Sequence, residues 1–504
     1  MNLNLKKASL FSAAAFMGLM ACKNDAKEDT ALVEEESIPG INLEYMNTDV
    51  KPNDDFFNYV NGTWLKTTEI PDDQSTWGSF NELRKKTDAD ALSILEAAMS
   101  DNKDMEKIQV LPGSDQEKAV FLYQTIMDTV GRNKQGLDPI KPYLAKIDAI
   151  ENINDLQVYM IEMEPLGGGG LYGFGVGSDP KDSNRNVGYL GGGSTGLPDR
   201  DYYVKDDADS KEKREKYVSH ITRMLQYLGE TEADANAEAK QILAFETRLA
   251  EAKMDKVDRR DARKRYNPRS IEQVQEMVPA VNWRNFLNGI GVKELDTVII
   301  GDLNYFNRLQ EVLAEGNVAD WKAYLRWDAF NGAAGQLSTD LETASWEFYG
   351  RELNGAKTQR PRDERALGLL NGTVGEALGK LYVDKMFPPE AKAKAEKMIK
   401  NVILAFENRI NNLEWMSPET KKKAIEKLQA TSIKIAYPDK WKDYSALEIK
   451  GVEEGGSYLQ NSLNARAWNF KKDIDKLGKP VDKSEWYMAP QVVNAYFNPS
   501  YNEI

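Results

Sequence analysis

Histidine occurs once in this chain, as His220, and cysteine once, as Cys22. One histidine excludes an HExxH zinc helix or a histidine-rich metal cluster within these 504 residues, and it leaves a serine or cysteine nucleophile a single imidazole base. His220 falls in a stretch of helical character, Tyr217-Val218-Ser219-His220-Ile221, and reads as a structural or surface residue. One cysteine excludes an internal disulfide and a thiolate metal cluster, so packing must hold the fold. Positive charge is in deficit: 66 Lys and Arg face 80 Asp and Glu, a formal net charge of -14. Phosphate binding needs a basic face, so nucleic acid is not an expected partner. The one local basic run, Arg259, Arg260, Arg263, Lys264 and Arg265, reads as a solvated or ion-paired helix face. The glycine run from Gly167 to Gly170 is not followed by Gly-Lys-Ser/Thr and closes into no helix with dinucleotide spacing, which argues against nucleotide binding. After the leader, no apolar stretch approaches the length that spans a bilayer.

Against these absences stands a large apolar payload: 41% hydrophobic residues, with 10 Trp, 22 Tyr and 16 Phe. That is the composition of a globular protein, and the length exceeds what one core organises, so at least two domains are expected. The leader, Met1 to Cys22, places Lys6 and Lys7 ahead of an apolar stretch from Ala8 to Met20, the pattern of a secretory signal. Leu19-Met20-Ala21-Cys22 resembles the bacterial lipobox. The resemblance implies cleavage after residue 21, lipid on Cys22, and a membrane anchor in the bacterial cell envelope facing periplasm or exterior. Residues 22–41, acidic and poor in apolar side chains, read as a tether.

Apolar residues recur at three and four between Ala89 and Met99, from Glu117 to Thr129, and from Ala237 to Lys253, where Ile242, Phe245 and Leu249 share a stripe. These segments are expected to be helices. Met398, Val402, Phe406, Ile410 and Leu413 form a longer stripe, expected to face a core. Ser417-Pro418-Glu419 supplies an N-cap, a proline at the first helical position and an early acid. The alternation over 171–176, a polar turn, and Val187 to Leu190 predict a hairpin inserted among helices. Trp486, Tyr487, Val492, Val493, Tyr496 and Phe497, with prolines at 490 and 499, read as strand and turn.

Five stretches carry a family resemblance. They are Pro52-Asn53-Asp54-Asp55-Phe56-Phe57 running on to Gly62-Thr63-Trp64-Leu65, then Trp77-Gly78-Ser79-Phe80, Gly196-Leu197-Pro198-Asp199-Arg200-Asp201-Tyr202-Tyr203, Trp415-Met416-Ser417-Pro418-Glu419-Thr420-Lys421, and Val492-Val493-Asn494-Ala495-Tyr496. In that order they resemble the neprilysin-like zinc metallopeptidases over roughly residues 42–504. The implied fold is mainly α: a large helical domain with a short β-hairpin over 42–450, and over 451–504 the first strands of an incomplete thermolysin-like α+β catalytic domain. The implied activity is zinc-dependent cleavage of oligopeptides outside the cytoplasm. By the same resemblance Asn494 and Ala495 lie along the bound peptide, and Phe80, Asn81 and Arg84 belong to a pocket beside it; Asn494 also admits a reading as a plain sheet residue. Thr76 stands where some members carry an arginine for a peptide's terminal carboxylate, and Asn53 where animal members have a disulfide cysteine. The family's zinc ligands follow the Asn-Ala strand, so this sequence reads as stopping before them: zinc is expected of the family, and no catalytic or metal residue is assigned here. A non-catalytic peptide-binding or scaffold lipoprotein is the rival reading.

Overall fold

The computed structural model describes residues 40–100 and 108–504; the signal segment, Cys22 and nearly all of the tether lie outside the described residues. The chain divides into two compact units, Met1–Glu69 and Ile70–Ile504. In the first, helix α1 (Phe56–Thr67) begins where the Asp55 side chain accepts the Asn58 N–H at 2.9 Å. That bond satisfies a donor the helix cannot satisfy itself.

The second unit is mainly helical. Its principal elements are α2 (Ser79–Met99), α3 (Asp115–Met127), strands β1 (Tyr172–Asp179) and β2 (Asp182–Gly192), α4 (Ala208–Tyr227), α5 (Glu232–Ala252), β3 (Asn267–Ser270), β4 (Thr297–Ile300), α6 (Val318–Ala333), α7 (Arg362–Met386), α8 (Pro389–Asn411), α9 (Pro418–Gln429) and α10 (Tyr458–Ile474). The helices read from periodicity at 89–99, 117–129 and 237–253 are α2, α3 and α5, and Ile242, Phe245 and Leu249 of α5 are buried. Helix α9 starts as its sequence requires, with Ser417 accepting the Thr420 N–H at 3.2 Å.

The hairpin forms with register Tyr172↔Gly192, and it is one half of a four-stranded sheet ordered β1-β2-β4-β3. Strand β4 runs parallel to β2 and antiparallel to β3. Four-residue strands, one of them containing Pro268, give no alternation to read, and proline argues against a strand in any case. The glycine run enters β1 as turn: Gly167, Gly168 and Gly170 have φ of +121°, +97° and +90°, conformations that favour glycine.

A large core is built around Trp283, Trp321, Trp327, Tyr217, Tyr305 and Tyr324, all fully buried. The basic run lies on two short helical segments, Asp258–Arg260 and Ala262–Arg265, and three of its members pair with acids, Arg259 with Asp199, Arg263 with Asp261 at 2.8 Å, and Lys264 with Asp258. No described helix is long and apolar enough to cross a membrane.

Two expectations fail. The stripe on α8 does not face a core: Met398, Val402 and Phe406 are 59%, 57% and 54% exposed, and of the stripe only Ile410 is buried. Periodicity shows that a helix has an apolar face, not that anything covers it. The strand expected over 486–504 is also absent; the segment runs as turns and extended chain with isolated bridges, Ser432↔Glu503 and Asn498↔Glu503. β-Propensity needs a neighbouring strand to act, and no ladder partner lies beside residues 492–497 among the described residues.

Burial of acids gives the fold a pH signature. Glu164 sits beneath β1, where its Oε1 accepts the Phe174 N–H at 2.6 Å, and burial pushes its pKa up to about 7 against that bond. Glu246 is likewise pushed up to about 7 by burial, despite bonds from Tyr203, Gly196 and Tyr217. Between pH 4.5 and 7 the folded state keeps protons that the unfolded state has released. The stabilisation is therefore full below 4.5 and is lost as pH rises through 7. Glu164→Gln keeps the acceptor and cannot titrate. Its stability is expected to fall by about 3 kcal/mol less than the parent's between pH 4.5 and 7.5 in denaturant titrations. Parallel pH slopes for the two proteins would contradict this. His220 opposes the trend in both proteins, since burial pushes its pKa down to about 3, and so cancels in the comparison.

Candidate functional site

Helix α7 is broken at Val374, where φ is -124° and ψ 36°. Gly375 and Gly379, four residues apart and hence on one face, leave a notch in it. A Cβ on Gly375 would lie 2.9 Å from Ala489 Cβ, and one on Gly379 2.7 Å from Pro490 Cδ. The segment Ala489–Gln491 fills that notch. Gln491 is buried, and its Nε2 donates to Asn371 Oδ1 at 2.6 Å and to the Gly375 carbonyl at 3.1 Å.

A second anchor holds residues 498–504. The Ser432 N–H donates to the Asn502 carbonyl at 2.9 Å, Ile504 N–H to Ser432 O at 3.0 Å, and Lys434 N–H to Ile504 O at 2.7 Å. Lys434 Nζ lies 2.7 Å from Glu503 Oε2, both side chains being buried, and donates to the Glu485 carbonyl at 2.7 Å. Tyr496 donates to Glu503 Oε1 at 3.2 Å, and burial followed by the Glu503 charge pushes the phenol up to about 12.

Between the anchors, residues 492–497 form a strap outside any ladder, and Asn494 and Ala495 on it are exposed. Asn494 Oδ1 accepts the Ala495 N–H at 2.9 Å. Beside the strap an open cleft of about 480 Å³ lies between Tyr487–Met488 and Tyr496–Pro499. Tyr487 also lines a second cleft of about 710 Å³ walled by Trp441, Trp486 and Tyr501. In that cleft burial and the Lys472 charge hold Lys442 below the usual lysine range, while Lys472 and Lys476 hold Glu485 below the usual carboxylate range against its burial.

Phe80, Asn81 and Arg84 occupy the first turns of α2. Phe80 is 60% exposed, Arg84 is exposed, and Asn81 Nδ2 reaches the Thr76 carbonyl at 3.4 Å. None of the three lines either cleft at the strap. Gln491, Lys434, Glu503 and the α7 notch fall outside the motifs carried by the sequence. The notch alone left a readable trace, the Gly-x-x-x-Gly spacing at 375–379.

The side chains at the strap and its clefts do not fit a catalytic zinc. Among the described residues no three His, Cys, Asp or Glu come together to hold a metal. His220 is stacked at 4.7 Å and 9° on Phe348, edge-on to Trp327 and Tyr349, and is buried: of the structural and surface placements its sequence allows, it takes the structural one. No hydrolytic step is assigned to these side chains.

Residues 52–438 match the family model of peptidase family M13. The chain is 29% identical over 491 residues to an endothelin-converting enzyme homolog of Locusta migratoria, covering 92% of this chain and 65% of that protein. It is 30% identical over 456 residues to a neutral endopeptidase of Lactobacillus helveticus, covering 90% and 69%. The crystal structure of Mycobacterium tuberculosis zinc metalloprotease ZMP1 with inhibitor superposes with a TM-score of 0.83 at 33% identity, over 92% of this chain and 69% of that one. The chain spans less than two thirds of the length of the locust protein and, at 61%, of Drosophila melanogaster neprilysin-3.

Proposed function

The chain belongs to peptidase family M13, and from that premise we propose that these 504 residues are the peptide-holding body of a zinc endopeptidase. The observation that carries the proposal is the strap: backbone fixed at both ends and left without a ladder partner between them. An extended peptide can add to such a segment through main-chain bonds, with little regard to its sequence. Asn494 adds a side-chain amide at the centre, and the aromatic clefts flanking Tyr487 offer room for apolar side chains. Oligopeptides are the substrate class this arrangement suits. No hydrolytic role is proposed for the single histidine, which is packed between rings.

Fluorescence polarisation of labelled oligopeptides tests the holding role. The chain is expected to bind them, and Asn494→Ala to weaken binding about three- to tenfold, the worth of one or two hydrogen bonds. Unchanged affinity in that variant would remove Asn494 from the account. Chelator-sensitive cleavage of an internally quenched peptide by the purified chain would show that catalysis resides here after all.

The same reading places the protein in the bacterial cell envelope, held by lipid on Cys22; its support is the signal-like leader and the lipobox-like Leu19-Met20-Ala21-Cys22. Cys22→Ser is expected to move the protein from the membrane fraction to the soluble fraction. Retention in the membrane fraction would contradict the anchor.

A further inference from the structure

A different cleft lies where the end of α3, the π-helical turns Glu347–Leu353 and the start of α7 meet; its volume is about 330 Å³. It shares no lining residue with the clefts at the strap. π-Helical turns are rare and recur at functional sites. At the base of the cleft Glu342 accepts bonds from three guanidinium groups, Arg132 Nη2 at 3.2 Å, Arg362 Nη1 and Arg365 Nη1. Arg132 is 3% exposed, and its remaining bonds go to the carbonyls of Leu337, Ile126 and Gly335. One carboxylate against three guanidinium groups leaves an excess of two positive charges. Two nearby acids are engaged elsewhere: Glu347 pairs with Arg223 and Arg351, and Glu364 with Lys85 and Arg360; Asp363, beside Arg362, accepts the Glu364 N–H.

Among the described residues Arg362 spends one of its five N–H groups, on Glu342, and Arg365 two, on Glu342 and the Arg360 carbonyl. Both line the cleft with side chains 19% and 26% exposed. Trp346 and Tyr458 contribute aromatic walls to the same space. Guanidinium groups oriented by a carboxylate behind them, with donors to spare and aromatic surface beside them, have the chemistry that recognises a planar or tetrahedral oxyanion. We propose that this cleft binds a small molecule carrying a carboxylate or phosphate, its oxyanion on Arg362 and Arg365 and its body against Trp346 and Tyr458.

Arginine modification by phenylglyoxal, mapped by peptide mass spectrometry on the unaltered 504-residue chain, tests this at matched ionic strength. Inorganic phosphate, N-acetylphenylalanine and N-acetylphenylalanine amide serve as probes. At least one of the two anions is expected to slow modification of Arg362 and Arg365 several-fold, while Arg263, with a side chain 91% exposed, reacts as before. Protection by phosphate alone assigns a phosphate ligand; protection by the carboxylate and not by its amide assigns a carboxylate. Absence of protection by both anions, or equal protection of Arg263, overturns the proposal. Arg362→Gln adds a second readout: affinity for the protecting anion, measured by calorimetry, is expected to fall at least fivefold, and an unchanged affinity in the folded variant would place the anion elsewhere.

Discussion

Gly379→Ala is expected to loosen the strap and destabilise the protein by about 1–3 kcal/mol, the usual cost of forcing a methyl group into a packed contact. The added Cβ would lie 2.7 Å from Pro490 Cδ and 2.9 Å from Gln491 Oε1, closer than carbon tolerates, and both neighbours belong to the segment that anchors the strap. Relief requires Pro490 and Gln491 to retreat. That strains the Gln491 bonds to Asn371 and Gly375 and shifts the chain that carries Asn494. Peptide affinity should therefore fall at least tenfold, about 1.4 kcal/mol, although residue 379 itself is buried. Gly368 on the same helix is the control, because a Cβ there meets nothing within 4 Å. Gly368→Ala should be neutral or stabilise by up to about 1 kcal/mol, as alanine does in an open helical position. Denaturant titration and peptide polarisation separate the two variants if the notch matters: Gly379→Ala loses stability and affinity, and Gly368→Ala loses neither. Equal behaviour would mean that the strap does not depend on it.

Glu342→Gln is expected to cost about 3–5 kcal/mol, the largest single effect on stability foreseen here. Burial pushes the Glu342 carboxyl up, and the charges of Arg132 and Arg365 outweigh it, so its pKa stands below the ordinary value. An amide in its place leaves Arg132, 3% exposed, without a counter-charge, and Arg362 and Arg365 in mutual repulsion. Arg132→Met in the same chain should recover part of the loss, because an apolar side chain does not demand the missing charge. A single variant as stable as the parent would show that solvent already compensates these arginines.

How far the sequence could be read depended on whether a feature is local. Helix α5 announced itself through Ile242, Phe245 and Leu249, and α9 through Ser417 and Pro418, because periodicity and capping are written within a few residues. The β1–β2 hairpin was legible for the same reason. Strands β3 and β4 were not: each is four residues long and exists because partners distant in sequence pair with it. On α8 the periodicity identifies the stripe but not its exposure, since whether Val402 and Phe406 are covered is a tertiary fact. At the strap, only the family resemblance points to Asn494 and Ala495; composition and periodicity do not. What fixes them, Gln491 on Asn371 and Lys434 on Glu503, joins residues 120 and 69 positions apart, beyond any sequence window. A lysine or glutamine carries no local mark that it will be buried.

Hydrogen exchange across residues 489–504, with and without a saturating oligopeptide, tests the peptide-holding role most directly. Amides of residues 492–497 are expected to become protected when peptide binds, as they gain a neighbouring strand, while those of the anchors at Gln491 and Ile504 change little. Peptide bound with no change in exchange over 492–497 would contradict it.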